Sequence, residues 1–156
     1  MSTLRPTLGD FNSIVCTKAI VTGVEEALGK KAAAIAFISA GRARGRSLID
    51  ELGLSDKKVP LEELTTLMDK ALGKEGTRLC IIDKIVESEG AYTVYTRETV
   101  CTAGEPDGSD RECSYTLGAV QGALEKILNL KLRGKHIEFD KQGAGHDVLQ
   151  FTILGS

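Results

Sequence analysis

Tryptophan is absent from this 156-residue chain, and aromatic residues make up only 4% of it. Flat rings on which nucleobases stack are therefore in short supply. Surplus positive charge is missing too: 20 Lys and Arg stand against 22 Asp and Glu, for a net charge of -2. With no basic excess to neutralise a phosphate backbone, nucleic acid is not an expected partner. There is no CxxC pair and no Cys/His cluster. Cys16, Cys80, Cys101 and Cys113 lie 64, 21 and 12 residues apart, so reduced thiols are the expected state, with zinc or disulfides as alternatives. The longest strongly apolar run, Ala32 to Ala40, falls far short of the roughly 20 residues that span a bilayer. Met1 to Asp10 has no apolar core and is broken by Pro6 and Gly9, which argues against a secretory signal and makes a cytoplasmic location the expectation. Phosphate loop, HExxH and nucleophile elbow are all missing. No catalytic residue, and no enzyme activity, is expected.

What the chain does contain is periodicity. Ile14, Val21 and Leu28 recur at seven-residue intervals, predicting a first helix over 11–28 with Asp10 as its cap and Gly29 as its stop. A second helix is expected over 31–52, apolar nearly all round in its first half and narrowing to a stripe of Ile38, Gly41, Gly45, Leu48, Ile49 and Leu52. After a polar linker, Leu61 to Leu72 predicts a third helix. The period then changes to two. Residues 78–86 and 91–100 read as strands joined at Ser88-Glu89-Gly90. A Gly/Pro/Asp-rich loop over 103–110 leads to a fourth helix over 117–130. The tail alternates, with Ile137 and Phe139 on one side and His136, Glu138 and Asp140 on the other. A turn at Lys141 to Gly145 then precedes Leu149, Phe151 and Ile153. The order α-α-α-β-β-α-β-β lacks a repeated βαβ unit. It predicts one α+β domain over 1–156: an antiparallel four-stranded sheet with helices on one face and residues 1–9 loosely attached.

Candidate sites follow from residues placed at a cost. Gly41 and Gly45 each weaken a helix by about 1 kcal/mol relative to Ala, which either close packing or room for a ligand chain would offset. Arg42 and Arg46 flank them, either as surface arginines or as partners for a carboxylate or phosphate at a pocket mouth. Gly118 and Gly122 fall outside the stripe of Leu117, Val120, Leu124, Ile127 and Leu128, on the side of Gln121 and Glu125, where they would admit a close neighbour. The expected ligand-binding set is Ile38, Gly41, Arg42, Gly45, Arg46, Leu48 and Ile49. The expected interface to a second copy is Gly118, Gln121, Gly122 and Glu125. A bulky residue at Gly45 is expected to block ligand uptake before it unfolds the chain. His136 and His146 have no Ser, Cys or Asp constellation that would make either a catalytic base.

The string Cys113-Ser114-Tyr115-Thr116-Leu117-Gly118-Ala119-Val120-Gln121-Gly122-Ala123-Leu124-Glu125 resembles the Cys/Tyr, Gly and Gly-Ala-Leu-Glu pattern of the vinyl-reductase-type superfamily of hydrocarbon-binding domains. That group includes small-molecule sensors and the core subunits of the TRAPP vesicle-tethering complex. Leu28-Gly29 and the Gly41-to-Gly45 spacing are similar to its opening helices, and Gly134 through Phe151 to its closing hairpin.

The resemblance implies a homodimer and a non-covalent hydrophobic molecule or acyl chain held between helices and sheet, in a sensory or adaptor role. An assembly subunit with a closed pocket, or an accessory to a tetrapyrrole reductase, are the alternatives it leaves. Sensor-type members bind zinc through a cysteine matching Cys113, an acidic residue for which Asp140 is the match, and two later cysteines. Those last positions hold Gly143 and Leu149 here. One thiolate and one carboxylate are too few for a four-coordinate ion, so no metal and no cofactor is expected. Nor does the segment from Gly53 to Pro60 hold a cysteine for acylation.

Overall fold

The computed structural model describes residues 3–106, 109–140 and 146–155, with the backbone only for Glu138, Phe139, Asp140 and His146. Four helices and four strands follow the predicted order: α1 Ile14–Leu28, α2 Lys30–Glu51, α3 Leu61–Leu72, β1 Ile81–Ser88, β2 Ala91–Arg97, α4 Ser114–Leu128, β3 Leu132–Asp140 and β4 His146–Ile153. The strands form one antiparallel sheet in the order β1-β2-β4-β3. The turn at Lys141 to Gly145 lies outside the described residues.

The helix starts show which polar groups won. Ser13, not Asp10, caps α1 by accepting from Val15 N–H at 3.2 Å. Asp10 instead accepts from the backbone N–H groups of Leu4 and Arg5, closing a small N-terminal loop three residues before the helix. Gly29 serves two helices. At φ 81° it takes a conformation costly for any residue with a Cβ. Its N–H closes α1 onto Glu25 O, and its carbonyl accepts from Ala33 to open α2. The β1–β2 turn likewise places Glu89 and Gly90 at positive φ, as tight hairpins require.

Helices cover the sheet face made by alternate residues of β2 and β4. Tyr92, Val94 and Thr96 are buried and pair across the ladder with Phe151, Leu149 and Asp147. Asp147 is thus a carboxylate on the buried row of the sheet. On β3, Gly134 and His136 lie opposite Phe151 and Leu149, and the register shifts between His136 and Glu138. This bulge overturns the alternation read from sequence: His136 turns inward, and Ile137 is exposed.

α4 is buried along eleven of its fifteen residues, Ser114 and Thr116 through Glu125. Its Leu117 side packs towards the sheet at Gly134, where a side chain would collide with Leu117, Gln121 and Phe151. Its opposite side meets α2. No helix among the described residues is long and apolar enough to cross a membrane.

Candidate functional site

The four glycines singled out in the sequence meet one another's helices. A Cβ at Gly41 would lie 2.7 Å from Ala119 N and overlap the Tyr115 carbonyl. One at Gly45 would lie 2.7 Å from Ala123 N and overlap the Ala119 carbonyl. In return, Gly118 faces the backbone of Ile38, and Gly122 that of Arg42. Two small-residue stripes therefore form one seam in which the helix backbones touch, a contact that any side chain would prevent. This corrects two expectations. Gly41 and Gly45 leave no room for a ligand, and the close neighbour of Gly118 and Gly122 is α2 of the same chain.

The polar residues beside the seam are also engaged within the chain. Gln121 donates to Leu132 O at 2.9 Å, and Glu125 accepts from Leu132 N–H at 3.1 Å, so α4 holds both backbone groups of the first residue of β3. Both side chains are buried and are not available to a second copy. The carboxylate met by the two arginines is Glu125 itself, 2.8 Å from Arg42 and 3.9 Å from Arg46. Ile49 is wholly in the core, and Ile38 packs against the edge of that core while its carbonyl faces Gly118.

Of the expected ligand set, Leu48 alone lines a groove. The groove encloses about 1430 Å³ between α1, α2, α3 and the segments leading into β1 and α4. This exceeds the ~300–1,000 Å³ of an ordinary pocket because it is an open trough. Its apolar lining comes from Leu48, Leu52, Ala71, Leu79, Val100 and Tyr115, and charged side chains line it too, among them Arg44 and Glu51, which pair at 2.8 Å. Phe11 lies at its mouth, held under the Arg78 guanidinium 4.8 Å from the ring centre. Sequence periodicity could not find this groove, because its lining is drawn one or two residues at a time from separate elements.

The segment between β2 and α4 forms one wall of the groove through Val100, Ala103 and Gly104. It is tied to α1 by an ionic cluster: Lys18 to Glu105 at 2.8 Å, Arg111 to Glu105 at 2.6 Å, and Arg111 to Glu25. Lys18 foremost, with Arg111 and Ser109, holds the Glu105 carboxyl at about 2, against an ordinary 4.5. A depressed carboxylate stabilises the fold fully above its unfolded value and loses that contribution as pH falls through the folded one. The part of the stability due to Glu105 is therefore expected to disappear between pH about 4.5 and about 2. Thermal unfolding of Glu105→Gln should converge with wild type across that window and fall below it at pH 7.

On its other side the same segment reaches a second site. Thr99 and Thr102 donate to Asp147 Oδ2 at 2.7 and 2.6 Å. Asp147 Oδ1 lies 3.0 Å from His136 Nε2, yet the directions do not fit a hydrogen bond. Both atoms are buried without a hydrogen-bond partner among the described residues. Cys113, the residue before α4, completes the group: its Sγ, a His136 nitrogen and an Asp147 oxygen lie within 4.8 Å of one another. Burial pushes the Asp147 carboxyl up, but His136, Thr102 and Thr99 outweigh it and hold the group below the ordinary carboxylate range. Burial foremost raises the Cys113 thiol well above its ordinary range and takes that of Cys80 to about 12. Neither thiol offers a free thiolate nucleophile at neutral pH.

This grouping corrects the ligand count made from sequence. The carboxylate near Cys113 is Asp147, and His136 adds a third donor. The Asp140 side chain and Gly143 lie outside what the structure describes, and Leu149 is a core residue.

No family model matches the chain. Nor does any curated protein. Among solved structures the chain is similar to the crystal structure of the phenol-responsive sensory domain of the transcription activator PoxR with phenol. The TM-score is 0.68 at 12% identity, over 92% of this chain and 76% of that one. The two share a fold. At that identity the likeness establishes the architecture alone.

Proposed function

We propose that the chain is a non-enzymatic binding module that takes a small apolar molecule into the groove between α1, α2 and α3, in a sensory role. The carrying observation is the groove itself: a mostly apolar lining with some charged side chains in it, which suits a ligand recognised by burial and oriented by few polar contacts. Its Leu48 and Leu79 are already shielded from water, and a ligand would extend that burial over Leu52, Val100 and Tyr115. The likeness to a phenol-responsive sensory domain supports a ligand of that class. The burial of Cys80, Cys101 and Cys113 supports a role without thiol chemistry. Native mass spectrometry and organic extraction of the purified chain test this reading. A hydrophobic molecule released from wild type, and lost from a folded Leu52→Trp variant that fills the groove, is the expected result. Equal recovery from both would remove the groove as the site.

A second reading, assembly as a homodimer, has one observation in its favour. Val15 and Ile20 on α1, with Ile35 near the start of α2, are exposed by 74%, 60% and 72%, and Gly23 on α1 faces open space. Single exposed apolar residues are ordinary, but several on α1 and the start of α2 give apolar surface that a second copy would cover about a two-fold axis. This moves the expected contact from α4, which is buried within the chain, to α1 and α2. A wild-type dimer in sedimentation equilibrium, converted to monomer by Val15→Lys with Ile35→Lys, is the expected outcome.

A further inference from the structure

We propose that residues 4–11 form a strap that supplies the missing wall of the groove, closing Leu4 and Leu8 over an apolar molecule seated there. The proposal rests on the groove reading and adds to it the part of the chain that shuts the site.

The groove needs such a wall. Pockets for small apolar molecules bury about 70–90% of their ligand's surface, whereas this trough of about 1430 Å³ is open to solvent. A ligand lying on Leu52, Val100 and Tyr115 would keep one side in water. The segment before α1 stands beside that opening, and its Asp10, Phe11 and Asn12 already belong to the lining. On the same segment Leu4, Leu8 and Phe11 are exposed by 82%, 77% and 57%. Apolar surface therefore faces water both in the trough and on the chain next to it, and closing one over the other removes both from solvent. Leu8 is two residues from Asp10, at most about 7 Å of chain from the lining.

The strap is built to move as one piece. The N–H groups of Leu4 and Arg5 donate to the Asp10 carboxylate at 2.9 and 3.0 Å. The Arg5 guanidinium donates to the carbonyls of Gly9 and Phe11 at 2.6 and 2.7 Å, and Gly9 N–H donates to Arg5 O at 3.0 Å. All of these bonds run within 4–11. What ties the loop to the groove is the Phe11 ring, under the Arg78 guanidinium at 4.8 Å. Arg78 is itself fixed: at φ 57° its N–H donates to O of Gly73, the residue that ends α3. One residue, Asn12, separates the loop from the cap of α1 at Ser13, and it is the hinge. The strap thus pivots on an anchored Phe11.

Decanoate is the probe, and the chain's lack of tryptophan lets Leu8→Trp place a single indole on the strap. Amide shifts at Leu48 and Leu52 report occupation of the groove independently. The expected result is a blue shift of indole emission and a loss of acrylamide quenching that saturate together with the groove shifts. Leu4→Ser combined with Leu8→Ser, at exposed positions that leave the fold intact, should retain the groove shifts but weaken decanoate binding about 10-fold. Arg78→Ala, which removes the anchor, should weaken it about 2–5-fold. Groove shifts that saturate while the indole stays in water overturn the strap and leave the groove reading standing. Equal affinity of wild type and the double serine variant does the same. No groove shift in folded wild type overturns both.

Discussion

Gly45→Leu is expected to abolish the folded state rather than to block a ligand. The seam between α2 and α4 brings backbone against backbone at Gly41, Gly45, Gly118 and Gly122. At Gly45 even a methyl group would overlap the Ala119 carbonyl, and a backbone atom has no rotamer by which to move aside. Extra methylenes in a well-packed core typically cost about 1–3 kcal/mol, and more where the surroundings cannot shift. A leucine here would have to separate two whole helices, one of them the buried centre of the molecule. A domain with about 5–15 kcal/mol of total stability would lose much or all of it. Gly45→Ala should be measurably destabilised in urea unfolding, and Gly45→Leu should show no cooperative transition. Gly23→Ala, on the open side of α1, should be neutral or slightly stabilising, which separates packing from helix propensity. A folded, cooperative Gly45→Leu would mean that the helices do not meet as described.

Loss of Glu125 should be the most damaging of the polar changes. Its carboxylate accepts from Leu132 N–H at the start of β3 and from Arg42, and its side chain is 5% exposed. In Glu125→Ala the Leu132 N–H is left buried without a partner, at about 1–3 kcal/mol. Arg42, 39% exposed, recovers much of its loss from water, and that tempers the ionic part. A total of about 2–4 kcal/mol is expected. Glu125→Gln retains an oxygen for Leu132 and should lose less than half as much. The two variants compared by denaturant midpoint decide whether the backbone bond or the charge matters more. Equal losses would assign the effect to the ion pair.

The fold was legible because its helices and strands carry strong, separate periods. Leu64, Met68 and Leu72 fall on one side of α3, and Tyr92 and Val94 alternate along β2, so element type and order followed directly. The close approach at Gly41 and Gly45 was legible too, as a cost that needed an offset. Its partner was not, because α4 is buried on nearly all sides. A wheel drawn from Leu117, Val120 and Leu124 assigns Gly118, Gln121, Gly122 and Glu125 to an outside that does not exist. On β3 the bulge after His136 broke the alternation that sequence reading assumed. Asp147 did leave a signal: it stands two residues before Leu149 and four before Phe151, on the row those two place inside. A carboxylate on that row needs partners. Thr99 and Thr102 are those partners, with His136 3.0 Å away for an ion pair, brought from a loop and a strand that only the folded chain places together. The groove left no such signal, since Leu48, Leu79 and Val100 each read as ordinary core.

Amide chemical-shift mapping tests most directly whether the groove receives apolar ligands. With ¹⁵N-labelled wild type and phenol or decanoate as probe, saturable shifts gathered at Leu48, Leu52, Val100 and Tyr115 are expected. Those shifts should vanish in a folded Leu52→Trp variant. No saturable shift with either probe, or shifts gathered away from the groove and unchanged by Leu52→Trp, would contradict it.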